Sequence, residues 1–262
     1  MGKIRLKKKY RKLLVLTFII ICLMGLIYSS FNIIRWYLNN QENARIKEKL
    51  KESIVVEKNE NPELDNESIE KYKIDFQALK QQNNDTIAYI KLNNTNIDYI
   101  VVKGNDNSYY LNHNFEKKKN NSGWIFADFH NKFDESDKNI VIFGHNTKDG
   151  SMFGTLKKVL DKDWYENKEN YKVILVTEKD TYYYQVFSTY SILAEDYYIS
   201  TNFQNDEEFD RFLNTIKSRS VYDYNVSVST LDKILTLSSC IGDGKKRVVL
   251  HAKLITNKMK ED

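Results

Sequence analysis

The chain has 262 residues, of which 41% are hydrophobic and 13% aromatic, which is enough apolar material for one sizeable packed domain with attachments and excludes a disordered chain. The formal charge of +4 is carried by the first twelve residues: Lys3, Arg5, Lys7, Lys8, Lys9, Arg11 and Lys12 stand there with no acid among them, and without these seven the remainder is at −3. The basic charge is a tail rather than a face of the domain, so no nucleic-acid partner is expected.

Residues 1–12 therefore read as a basic tail, and Leu13 to Ile34 follows it without a charged residue. About 22 helical residues rising 1.5 Å each cover the roughly 30 Å hydrocarbon core of a bilayer. Arg35, Trp36 and Tyr37 stand where interfacial anchors are expected, and the Lys/Arg cluster on the other side predicts a cytoplasmic N-terminus with the folded part outside. A cleaved signal peptide is the competing reading. The apolar run is longer than the usual signal core and no A-x-A-like site follows, so 13–34 is expected to be an uncleaved single-pass signal anchor in the cell membrane.

Residues 35–62 are charged and read as an extracellular stalk, with near-helical spacing in ENARIKEKLKESIVV. Pro62, the only proline, suits the first turn of a second helix running through Ile69, Tyr72, Ile74, Phe76 and Leu79, at the start of a domain covering 63–262. Beyond Asn84 short runs rich in Ile, Val, Tyr and Phe alternate with Asn, Asp, Gly and Lys clusters. This predicts strands near Ile87–Leu92, Ile97–Val102, Gly123–Ala127, Asn139–Phe143, Tyr171–Thr177, Thr181–Leu193, Ile234–Leu237 and Arg247–Ile255. The fold class is mainly β with helical inserts, and eight short strands favour a barrel or sandwich. The inserts are Met152–Leu160 and the amphipathic Asp206–Lys217, whose acidic first turn precedes Phe209, Phe212, Leu213 and Ile216.

Of two cysteines, Cys22 lies in the apolar span, so Cys240 has no disulfide partner within the exported domain. It ends the apolar run TLSSC, and Arg247 opens the next run after IGDGKK. A thiolate is an intrinsically good nucleophile, and a guanidinium stays charged and can hold an oxyanion. A lone cysteine at a strand end is also what a small buried hydrophobe looks like. Among the histidines, His113 and His130 stand in polar, loop-like surroundings that predict a surface position. His251 alternates with Val249 and Lys253 in the last strand and either faces solvent or fills a barrel position. His145 ends NIVIFG, with Gly144 before it and the polar Asn146 after it, where a side chain is presented into a loop as catalytic groups usually are.

NIVIFGHNTKDGSMFGTLKKVL, together with TLSSC followed by RVV far downstream, resembles the two signature regions of sortases, cysteine transpeptidases of Gram-positive cell surfaces. YYLNHNF through GWIFADFHN is similar to the segment that precedes the histidine in class B members, and the helix Asp206–Lys217 is what class B adds between the sixth and seventh strands. The resemblance covers roughly 65–255. It implies a closed eight-stranded barrel with N-terminal helices, Cys240 as nucleophile, His145 as general acid/base, Arg247 as oxyanion or substrate stabiliser, and Ser238 and Ser239 as substrate contacts. It also implies a two-step acyl transfer from a threonine in the C-terminal sorting signal of a secreted protein, in class B commonly of N-P-x-T-x pattern, to a peptidoglycan cross-bridge or pilin amine. There are departures: Ser239 stands where Thr is frequent, IGDGKK is short, and His130 occupies a place where Arg is expected.

No cofactor is expected, and no metal, since the acids do not space themselves into an oxygen cage. Two other readings remain. Wall-linking cysteine transpeptidases or peptidases of another fold carry a histidine before and an arginine after the cysteine, which Leu237, Ser238, Ser239 and Ile241 do not match. A membrane-tethered binding or adhesion domain would merely pack Cys240 in its core.

Overall fold

Strand-forming residues in the second half of the chain close on themselves as a barrel. The computed structural model describes residues 8–58, 70–193, 195–241 and 246–256. Its elements, in order, are α1 (Lys8–Lys51), β1 (Ile54–Lys58), β2 (Glu70–Ile74), α2 (Phe76–Gln82), β3 (Thr86–Leu92), β4 (Asp98–Val102), β5 (Phe126–Ala127) and β6 (Asn139–Gly144). These are followed by α3 (Lys162–Glu166), β7 (Lys172–Thr177), β8 (Thr181–Leu193), α4 (Asp206–Ser218), β9 (Ile234–Ile241) and β10 (Lys246–Thr256). Among the described residues, eight strands form the closed barrel in the order β10-β8-β7-β3-β4-β5-β6-β9, and closure gives each of these strands a neighbour on both sides. Most pairs are antiparallel, while β4–β5 and β6–β9 are parallel. A parallel pair needs a long crossover, and β7, β8 and α4 all lie in the connection from β6 to β9.

The chain divides into two units, Met1–Glu42 and Asn43–Asp262. In the first, α1 is long and apolar enough to cross a membrane, with a mean hydropathy of 2.5 in its most apolar window. The last turns of α1 belong to the second unit, where Asn43, Ile46 and Leu50 are buried. The segment expected as a solvated stalk thus begins the packed unit at Asn43. The helix expected from Pro62 to Leu79 is corrected: within the described residues it starts only at Phe76, capped by Asp75, and Glu70–Ile74 before it is strand β2, paired with β1. Tyr72 and Ile74 alternate with lysines, a period of two, and Ile54 pairs opposite Ile74, so a strand partner outweighs the weaker helical spacing. Residues 59–69 lie outside the described set.

Two apolar layers position the rest. One fills the barrel, with Leu235, Leu237, Val248, Leu250 and Ala252 among its members, and the other lies between the barrel wall and α4. Asn205 caps α4 by accepting from the Glu208 N–H, and Asp206, Glu207 and Glu208 sit in its positive first turn. Phe209, Phe212, Leu213 and Ile216 then pack on Phe187, Tyr190 and Val249, each contributing roughly 1.5–3 kcal/mol of burial. The expected insert at Met152–Leu160 is a short 3-10 turn over Leu156–Leu160 followed by α3, and the strand expected over Gly123–Ala127 is only Phe126–Ala127.

Candidate active site

Three strand ends meet on one side of the barrel. In the antiparallel ladder of β9 and β10, Cys240 is the Cα partner of Arg247, and such partners lie about 4.5–5.5 Å apart. In the parallel ladder of β6 and β9, Gly144 pairs with Ser239, so the next residue on each strand is His145 and Cys240. The backbone register therefore brings residues 145, 240 and 247 together, although they are distant in the chain. Arg247 is half-buried, and its Nη1 donates to the Lys246 carbonyl at 3.2 Å.

His145 is held at both its ring and its backbone. Nε2 donates to the Leu111 carbonyl at 2.7 Å, and the His145 carbonyl accepts from the Phe153 N–H at 2.9 Å. Gly144 before it has no room for a side chain: an added Cβ would meet Ile125 at 2.5 Å and Phe153 at 2.6 Å. The glycine is needed for close packing against those two side chains. The following loop folds back through Thr147, whose hydroxyl donates to the Ser151 carbonyl at 2.6 Å, and through a bridge between Asn146 and Met152. Phe153 also accepts, through its carbonyl, from the Ser239 hydroxyl at 3.5 Å, so one residue touches both strands of the site.

Ser238 and Ser239 are 3% and 2% exposed. The Ser238 hydroxyl bonds Tyr198 at 3.1 Å and that of Ser239 bonds Phe153. Both side chains expected as substrate contacts thus lie inside the wall, with Tyr198 and Phe153 as their neighbours. Of the other histidines, His113 stacks on Tyr109 at 4.0 Å, and His130 donates from Nδ1 to Asp128 at 2.8 Å with its ring about half exposed. His251 does not reach solvent. It is fully buried between the barrel and α4, four residues along β10 from Arg247.

A directed chain of hydrogen bonds runs through that layer. The Thr236 hydroxyl gives its proton to Asn139 Oδ1 at 2.8 Å, so it accepts from His251 Nδ1–H, also at 2.8 Å. His251 Nε2 then accepts from the Tyr190 hydroxyl at 2.9 Å, and Tyr190 accepts from Tyr197 at 3.2 Å. Asn139 Nδ2 returns to the Ser200 carbonyl at 2.9 Å, three residues past Tyr197. The chain ties β6, β9 and β10 together below the site, and every member has a partner, as a buried polar group requires. Burial pushes the His251 pKa down from 6.5 to about 3, so the ring is neutral, in agreement with its one donor and one acceptor.

Sequence reasoning missed Leu111 and Phe153. Both act on His145 through backbone atoms, which no side-chain motif announces. Among the described residues, no three His, Cys, Asp or Glu side chains converge as a metal cage would require.

A family model described as Sortase domain matches residues 90–255. Sortase B of Listeria monocytogenes serovar 1/2a is 39% identical over 159 residues, covering 60% of this chain and 64% of that protein, so the chain spans under two thirds of that relative's length. Among solved structures, sortase B from B. anthracis is 31% identical with a TM-score of 0.72, covering 84% of this chain and 100% of that one. A Staphylococcus aureus sortase B–substrate complex is 35% identical with a TM-score of 0.65, covering 69% of this chain and 84% of that one. With the family model spanning most of the barrel, and with sortases B as the relatives that match in sequence and in fold, the chain belongs to the sortase family.

Proposed function

We propose that the chain is a membrane-anchored cysteine transpeptidase of class B type, acting outside the cell on a C-terminal sorting signal. The observation that carries this reading is the ladder register that joins residues 145, 240 and 247 at adjoining strand ends. In the first step the Cys240 thiolate attacks the carbonyl carbon of the signal's threonine, and Arg247 stabilises the oxyanion. The C–N bond then breaks and His145 gives its proton to the departing amine, leaving a thioester on Cys240. In the second step a wall or pilin amine attacks the thioester, His145 takes the proton from the incoming nitrogen, and the thiolate leaves as a new amide forms. No cofactor takes part. Ser238 and Ser239 support the end of β9 rather than touch substrate. The apolar part of α1 supplies the anchor, with the basic tail on the cytoplasmic side.

The test incubates the protein with a library of sorting peptides and hydroxylamine as the accepting amine, and reads cleavage and acyl transfer by mass. Turnover with a thioacyl adduct on Cys240, lost in Cys240→Ala and in His145→Ala, is the expected result. Retained turnover in Cys240→Ala would overturn the proposal.

A further inference from the structure

We propose that the last turns of α1, through Asn43 and Lys47, are a positioning element for His145. The inference rests on the acid–base role assigned above to that histidine.

The argument starts at the imidazole. A carbonyl only accepts, so the bond from His145 to Leu111 fixes the proton of the neutral ring on Nε2 and leaves Nδ1 as the nitrogen that exchanges a proton with substrate. The orientation of the ring is then the orientation of the Leu111 carbonyl, the end of a 3-10 turn over Tyr109–Leu111. That carbonyl is backed by Gly123. The glycine lies at φ +57°, where an added Cβ would stand 2.8 Å from the Leu111 oxygen and 2.3 Å from that of Tyr110. Its neighbour Trp124 ties in as well, donating its N–H to the Tyr110 carbonyl at 3.0 Å.

Gly123 is held in turn by α1. Asn43 Nδ2 donates to the Gly123 carbonyl at 3.1 Å and to Asn120 Oδ1 at 3.3 Å, while Asn120 Nδ2 donates back to Asn43 Oδ1 at 3.1 Å. Both amides are buried, at 2% and 0% exposed. Asn120 also accepts from the Ser122 N–H at 2.9 Å, and its carbonyl from that of Gly123 at 3.0 Å. A buried amide pair with reciprocal bonds tolerates one geometry, because any slip leaves donors and acceptors without partners.

A second route leaves α1 one turn later. Residues four apart share a helix face, and Lys47 follows Asn43 by four. Its Nζ stands 3.9 Å from the centroid of Tyr99 and donates to the Asn96 carbonyl at 3.0 Å. The Tyr99 hydroxyl accepts from the Met152 N–H at 2.8 Å, and the next residue, Phe153, bonds the His145 carbonyl. Asn96 meanwhile donates to the Gly150 carbonyl at 3.2 Å in the same loop. The ring of His145 and its backbone are thus fixed by two chains of contacts that converge on one helix face. A positioning group of this kind acts on the rate of the bound complex, since substrate affinity does not depend on where the imidazole points.

The experiment uses the full-length protein in detergent, a fluorogenic N-P-x-T-x peptide with hydroxylamine, and 15N NMR of the histidine rings. Asn43→Ala and Lys47→Met are expected to lower kcat by on the order of tenfold to a hundredfold at unchanged KM. Both should replace the Nε2–H tautomer signature of His145 with an averaged one, whereas Lys47→Arg, which keeps a cation on the Tyr99 face, should retain both properties. If Asn43→Ala fails to fold, the half-buried Lys47 carries the comparison. Wild-type kcat and tautomer in these variants, or a loss that tracks thermal stability alone with the tautomer unchanged, overturns the inference. His145→Ala run alongside separates the two levels: its inactivity keeps the acid–base reading whatever the α1 variants do, and its retained kcat would sink that reading instead.

Discussion

Acid titration of stability tests the buried chain around His251. The native ring takes up a proton only near pH 3, the unfolded one near pH 6.5. Between those values the unfolded state binds one more proton, so stability falls as the pH drops from 6.5 and stops falling from this source below about 3. Each pH unit in that window costs about 1.4 kcal/mol, which makes the loss about 2 kcal/mol at about pH 5 and about 3 kcal/mol at about pH 4. Against a total of about 5–15 kcal/mol for an ordinary domain, this is a large share. Asp232, where burial pushes the pKa up but hydrogen bonds from Ser229 and Lys253 together bring it below its ordinary value, and Glu116, held down by its Lys118 partner, also weaken the fold in acid, though only once the pH approaches the ordinary carboxylate range. They do so equally in a variant. The measurement is urea unfolding of the full-length protein, followed through the buried Trp124 and Trp164, from about pH 7.5 down to about pH 4.5, for wild type and His251→Gln. The variant should be less stable at neutral pH and should lose less on acidification, so the two curves approach each other by about 1.4 kcal/mol per unit below about pH 6.5. Parallel curves would refute the reasoning, since they would mean that His251 does not titrate differently in the two states.

Gly144→Ala should destabilise the protein by about 1–3 kcal/mol, because its Cβ would press on Ile125 and Phe153, and the change should appear as a lower urea midpoint at unchanged slope. Arg247→Lys keeps the charge but loses the planar fork, so kcat/KM in the peptide assay should fall on the order of a hundredfold, while an effect under about threefold would remove the oxyanion role from this residue.

Much of this fold is local chemistry and is legible without coordinates. Alternating apolar residues mark the barrel strands, and the acidic first turn and apolar stripe of 206–217 mark α4, because each preference is carried by residues within a turn or a pleat of one another. The pairing of GHN with TLSSC and Arg247 marks the candidate site as residue types. That residues 145, 240 and 247 are neighbours is decided by the register of two ladders between strands that are remote in sequence. The same holds for the burial of Ser238 and Ser239, which follows from Tyr198 and Phe153 arriving from other elements. Glu70–Ile74 misled sequence reasoning because a strand is stabilised by its partner, and the partner β1 came from a stretch that reads as spacer. The anchoring of His145 was out of reach for a similar reason. Leu111 and Phe153 contribute a carbonyl and an N–H that every residue possesses, and only packing against Gly123, Asn43 and Tyr99 turns those common groups into a fixed address for one imidazole.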